Sequence, residues 1–136
     1  ASLGATYHHE NLADAARVAR PDVVIEATGV GSVAFDAMAE TGPYGIVCLT
    51  GVSPKGRTLQ IDAGTLNREL VLENDVVVGS VNANMRHYRA AAEHLAQADV
   101  AWLRRLITTT VPLEDFATAF DQGGDDVKVV ISLEDA

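Results

Sequence analysis

The strongest constraint in this sequence is the order strand, helix, strand between Asp22 and Thr50. Val23-Val24-Ile25 is an unbroken β-branched run followed by Ala27-Thr28-Gly29, the pattern of a central strand buried on both faces. Ser32 is a candidate cap for a helix through Phe35 and Met38, Thr41-Gly42-Pro43 ends it, and Gly45 to Thr50 is a second apolar strand. Strands joined in this way pair in parallel through a right-handed crossover. The loops that leave them, Thr28-Gly29 and Thr50-Gly51, then lie together at the carboxyl ends, where open α/β sheets bind ligands.

Shorter elements surround this unit. Asn11 caps an Ala-rich helix running to about Ala19, which Pro21 stops, and a short extended piece at Thr6-Tyr7 precedes it. Gln60-Ile61-Asp62 starts another short element. Between Glu69 and Ser80, Asn74-Asp75 reads as the turn of a hairpin joining Leu70-Val71-Leu72 to Val76-Val77-Val78, with a helix over Leu66 to Leu72 as the alternative. Asn84 caps an amphipathic helix in which Met85, Tyr88, Ala92 and Leu95 recur at helical spacing. A short helix around Trp102 follows, then a Thr-rich strand from Ile107 to Val111. Pro112 opens a helix with Phe116, Ala119 and Phe120 on one face, Gly123-Gly124 breaks it, and Val127 to Leu133 is a closing strand.

Charge narrows the function. Eleven Asp and eight Glu face eight Arg and only two Lys, for a net charge of -9 over 136 residues. Nucleic acid is a poor partner, because phosphate binding needs clustered Lys and Arg to displace counterions. Apolar runs such as Val76-Val77-Val78 are far shorter than the roughly 20 residues that span a bilayer, so no membrane helix is expected. One cysteine, Cys48, forms no internal disulfide, and no signal-like segment opens the chain, which together point to the cytoplasm. The opening Ala1-Ser2-Leu3-Gly4-Ala5 lacks a starting Met and resembles the tail of a helix, so a fragment is expected.

No GxGxxG, phosphate-binding P-loop, HExxH or cysteine cluster occurs. His8-His9-Glu10 is the densest set of possible metal ligands, but neighbours on an extended chain point to opposite sides. His87 and His94 stand two helical turns apart, too far to share an ion. Cys48 sits within an apolar strand as a small hydrophobe, and neither Glu26 nor Asp62 has a His or Ser partner at a recognisable spacing. No catalytic or metal-binding residue is therefore assigned. What remains are the loops Ala27-Thr28-Gly29-Val30-Gly31, Leu49-Thr50-Gly51-Val52 and Gly79-Ser80-Val81-Asn82. Glycines there allow a flat ligand to approach the main chain, and Thr28, Ser80 and Asn82 offer groups for a carboxamide or sugar hydroxyls.

At these residues the chain resembles the C-terminal part of the medium-chain zinc-type alcohol dehydrogenase superfamily, and within it the archaeal glucose dehydrogenases. The likeness runs from Leu3-Gly4-Ala5 to the end. It rests on Asp22 to Gly29, Gly45 to Val52, Arg68 to Leu72 with Gly79 to Asn82, Val111 to Phe116 with Ala119-Phe120, and Val127 to Ile131. The resemblance implies a partial Rossmann-like parallel sheet with flanking helices, followed by C-terminal helix and strand elements. Residues 1–82 would be the second half of a dinucleotide-binding domain, and residues 83–136 a segment that completes the catalytic domain.

The implied activity is oxidation of an aldose at its anomeric carbon to a lactone, with hydride passing to NAD(P) and zinc acting on the sugar hydroxyl. By the same resemblance Thr28, Gly29, Leu49, Thr50 and Gly51 line the nicotinamide end of the cofactor site. Val81 follows with backbone contacts, and Asn82 reaches cofactor or sugar. The zinc ligands and the phosphate-binding loop lie upstream of Ala1, so this chain alone is not expected to catalyse. The Leu70 to Val78 stretch is expected to form the edge of a homo-oligomer. Two other readings stand beside this one: the same region of a zinc-type enzyme acting on another alcohol or polyol, and a non-catalytic module that oligomerises or binds a nucleotide.

The acidic, Lys-poor surface fits either an ordinary acidic enzyme or one adapted to high ionic strength. Screening of self-repulsion separates them. For the salt-adapted reading, melting followed by circular dichroism from low salt to molar KCl should show a rising midpoint, and a falling midpoint would exclude it.

Overall fold

The computed structural model describes residues 4–9, 11–121 and 123–133. Leu3 and Glu10, which entered the reading of the N-terminus and of the histidine cluster, lie outside these. The chain divides between Asn82 and Ala83 into two compact units.

In the first unit the order is α1 (Leu12–Ala19), β1 (Val23–Glu26), α2 (Gly31–Glu40), β2 (Ile46–Leu49), α3 (Ala63–Glu73) and β3 (Val76–Gly79). The strands form a parallel sheet in the order β1-β2-β3. Its rows are in direct register, from Val23, Ile46 and Val76 to Glu26, Leu49 and Gly79. This is the expected α/β arrangement, and it follows from local chemistry. The Asn11 side chain accepts from the Asp14 amide at 2.9 Å to start α1, and Arg20 ends it in the left-handed region at φ 46°. Helix α2 then returns the chain so that β2 can pair beside β1.

Three expectations are corrected here. The Leu70 to Val78 hairpin does not form, because β3 runs parallel to β2 and a parallel pair needs a crossover rather than a tight turn. The crossover is α3, so the helical alternative holds, and of the proposed Leu70 to Val78 oligomer edge only residues 76–78 lie in a strand, β3. Asp62 begins that helix instead of a separate element: its carboxylate accepts from the Thr65 amide at 3.0 Å and hydroxyl at 2.8 Å. Asn74, at φ 60°, is the left-handed cap that ends it. Ser32 does not cap α2, which starts two residues earlier than that cap implies, behind Val30 and without a side-chain cap.

A fourth correction concerns burial. Val24 and Val47 share the sheet face on which α2 packs, and Val47 is the largest fully enclosed side chain among the described residues, at 1% exposure. Val23, Ile25, Ile46, Val76 and Val78 belong to the opposite face and remain exposed. Strand β1 is also an edge of the described sheet, not its centre. A β-branched run encodes suitability for burial on both faces, whereas actual burial depends on what packs there. The described helices cover one side.

The second unit holds α4 (Met85–Gln97), α5 (Val100–Arg104), β4 (Thr109–Pro112), a 3-10 helix (Leu113–Phe120) and β5 (Val129–Ser132). Asn84 caps α4 through the amides of Arg86 and His87, at 3.0 and 3.1 Å, as expected. The apolar positions Met85, Tyr88 and Leu95 nevertheless stay exposed. Strands β4 and β5 pair in parallel, and Val111 is buried. Asp126 fastens the approach to β5 by accepting from the Thr109 hydroxyl at 2.8 Å, the Gly123 amide at 2.9 Å and the Thr108 hydroxyl at 3.1 Å. Those groups, led by Thr109, hold its carboxyl below the usual range. Pro112 closes β4 instead of opening an α-helix, and the helix after it is of the tighter 3-10 type, interrupted at Asp115.

Among the described residues no helix is long and apolar enough to cross a membrane. Because Val47 sits in the central strand, Val47→Ala should cost ~2 kcal/mol of stability. Val71→Ala, on the exposed side of α3, should stay within ~0.5 kcal/mol. Denaturant midpoints of the two variants check this, and equal losses would place the core elsewhere.

Candidate functional site

The last row of the first sheet is Glu26, Leu49 and Gly79, so the three backbone-rich loops leave from the same end. What holds the first two together is Glu26. Its carbonyl accepts from the Thr50 amide at 2.8 Å, the Gly51 amide at 3.1 Å and the Thr50 hydroxyl at 2.8 Å. Its carboxylate atom Oε1 accepts from the Thr28 amide at 2.6 Å, the Thr28 hydroxyl at 2.5 Å and the Gly29 amide at 3.0 Å. The side chain is only 4% exposed. Burial of a carboxylate is expensive unless its lone pairs are met, and here neutral donors meet them.

Glycine is required where the loops touch. Gly29 has φ 69°, and a Cβ there would stand 2.8 Å from the Val52 carbonyl oxygen. A Cβ on Gly51 would run into the backbone of Gly29 and lie 2.8 Å from Glu26 Oε2. The loops therefore meet main chain to main chain. Beside them lies a cavity of about 340 Å³, bounded by Thr28, Gly29 and Gly31 on one side and by Val52, Ser53 and Arg57 on the other.

The structure thus brings together Thr28, Gly29, Leu49, Thr50 and Gly51. Val81 and Asn82 follow β3 at the same end of the sheet, both exposed, with Asn82 in the left-handed region at φ 66°. The Thr28 hydroxyl is not available to donate to a ligand, since it donates to Glu26 and accepts from the Val30 amide at 3.1 Å. The Thr50 hydroxyl is likewise committed to the Glu26 carbonyl. What these loops offer is mostly backbone. Sequence reasoning set Glu26 aside for want of a catalytic partner; a carboxylate two residues before a Thr-Gly pair was the available signal.

Among the described residues no three His, Cys, Asp or Glu side chains could hold a metal ion. Cys48 is a half-buried free thiol within β2.

The Thr28 hydroxyl is the leading cause that lowers the Glu26 pKa. Burial opposes it, and the amides of Thr28, Gly29 and Gly51 add to the lowering. A lowered folded-state pKa contributes stability that is fully present above the unfolded value and lost as pH falls through the folded one. Glu26→Gln should therefore be less stable than wild type at neutral pH, and the difference should shrink as pH drops below the ordinary carboxylate range. Denaturant melts of both proteins across that range test this; a gap independent of pH would contradict it.

Comparison with known proteins places this geometry. A family model described as glucose dehydrogenase C-terminus matches residues 1–133. A glucose 1-dehydrogenase of Halobacterium salinarum is 43% identical over 97% of this chain and 38% of its own length. One from Thermoproteus tenax is 41% identical over 83% of this chain and 33% of its own. The structure of Haloferax mediterranei glucose dehydrogenase in complex with NADP, Zn and gluconolactone aligns with a TM-score of 0.87 and 32% identity, over 99% of this chain and 39% of that one. The Bacillus subtilis 2R,3R-butanediol dehydrogenase, 19% identical with a TM-score of 0.74 over 98% of this chain and 39% of that one, shares the fold. This chain spans little more than a third of the length of these relatives. The match over residues 1–133 means that the chain belongs to the glucose dehydrogenase C-terminal family.

Proposed function

We propose that this chain is the C-terminal part of an NAD(P)-dependent glucose (aldose) 1-dehydrogenase. The observation that carries the reading is the main-chain contact between the Thr28-Gly29 and Thr50-Gly51 loops beside an open cavity. It occurs in a chain whose fold follows a relative described in complex with NADP, Zn and gluconolactone. Residues 1–82 are then the second half of the dinucleotide-binding domain, and 83–136 the segment that completes the catalytic domain.

A bound nicotinamide supplies the acceptor for hydride from the sugar's anomeric carbon, while the proton of the anomeric hydroxyl is lost and a lactone results. This chain's part is binding and orientation. Thr28, Gly29, Leu49, Thr50 and Gly51 hold the nicotinamide end through backbone groups, and Val81 adds backbone contacts. Asn82 is assigned to the cofactor or the sugar, and the fit rests on glycines that leave the main chain open to a flat ring. Zinc chemistry belongs to residues outside this chain. A cytoplasmic setting and a homo-oligomer joined through the exposed edge strand β3 complete the proposal.

The test is cofactor reduction by the natural gene product that carries this chain, followed at 340 nm with glucose, other aldoses and simple polyols. Lactone formation from an aldose is expected. Gly51→Ala should raise the cofactor KM at least tenfold by pushing the two loops apart, and Asn82→Ala should change the ranking of the sugars. Oxidation of polyols without aldoses would overturn the substrate. Absence of cofactor binding would overturn the enzyme reading.

A further inference from the structure

We infer that Glu26 is the positioning residue of the nucleotide site, setting both nicotinamide-side loops from one buried point. The inference rests on the nucleotide reading above. Its basis is the connectivity of a single residue. The Glu26 carboxylate takes two amides and a hydroxyl from Thr28 and Gly29, and its carbonyl takes two amides and a hydroxyl from Thr50 and Gly51. No other residue in the first unit joins the two loops in this way among the hydrogen bonds of the described residues.

Three physical consequences follow. First, the Thr28 and Gly29 amides are satisfied by the buried carboxylate and are not available to a ligand. Second, a shorter or uncharged side chain releases the carboxylate half of the connection while leaving the carbonyl half, because Thr50 and Gly51 bind the main chain. Loss of the carboxylate should therefore loosen the Thr28-Gly29 loop most, while the Thr50-Gly51 loop stays held by the Glu26 carbonyl. Third, the bonds at Oε1 are charge-assisted, and a neutral amide oxygen accepts them more weakly. Glu26 touches no substrate in this scheme and has no acid or base role; it acts through the loops it holds.

Glu26→Gln and Glu26→Asp in the full-length gene product test this. In Glu26→Gln the cofactor KM should rise about tenfold, with kcat at saturating cofactor and the sugar KM within twofold of wild type. Hydrogen exchange should speed up at the Thr28 and Gly29 amides and stay unchanged at Val47. Glu26→Asp retains the charge but draws it back by one methylene, and should fall between the two. Faster exchange with an unchanged cofactor KM would make Glu26 a structural residue only and overturn the proposal, as would unchanged exchange at Thr28 and Gly29. Failure of both variants to fold would also overturn it in favour of a purely structural role. A wild-type protein that neither binds nor reduces NAD(P) would defeat the functional reading instead, while the exchange result would still report on the loop connection.

Discussion

The arrangement of the loops at the carboxyl end of the first unit's sheet depends on one buried carboxylate held by neutral donors. Glu26 ends β1 where the ladder stops, and an unmet carboxylate at 4% exposure would be strongly unfavourable. The chain resolves this by turning at once, so that the Thr28 and Gly29 amides and the Thr28 hydroxyl fold back onto Oε1. The tight turn that results carries the backbone into α2 after only four residues, which explains why that helix begins behind Val30 without a side-chain cap. Thr28 satisfies the Val30 amide, and Ser32, already inside a helix that starts at Gly31, has no capping role.

The glycines are the other half of the same constraint. Once Glu26 has drawn both loops inward, Gly29 and Gly51 are forced into contact, and any side chain there would collide with opposing main chain. Close approach costs nothing extra at glycine and would be prohibitive at alanine. Threonine serves a different purpose on each side. Both hydroxyls donate to Glu26, one to its carboxylate and one to its carbonyl, so they stabilise the loops. In the third loop Asn82 is exposed and stands in the left-handed region at φ 66°.

Much of this was legible in the residues. The β-branched runs at Val23 and Ile46, the crossover between them and the Asn11 and Asn84 caps depend on short-range chemistry that a sequence displays directly. The α3 crossover was harder, because Leu70-Val71-Leu72 followed by Asn74-Asp75 is as good a hairpin signal as a helix end. The choice was made by the parallel pairing of β3, a long-range contact. Glu26 was hidden for a related reason: its carboxylate looked unpartnered because its partners are main-chain amides and a threonine, which no spacing rule for catalytic pairs would flag.

The burial of the sheet shows where such reading reaches its limit. Val24 and Val23 are chemically identical neighbours, yet one faces α2 and the other is more than half exposed. The same holds within β2, where Val47 is enclosed and Ile46 is not. A side chain's identity states how favourable burial would be, roughly 25 cal/mol per Å² of apolar surface removed from water, but not whether a neighbour is present to remove it. Alternation along the strand then divides an apolar run into a covered and an uncovered face. In the described elements α2 makes that division, and it places Glu26 in the same enclosed row as Val24 while leaving Ile25 outside. The residue that organises the loops is thus protected from solvent by strand parity, the simplest periodicity in the chain.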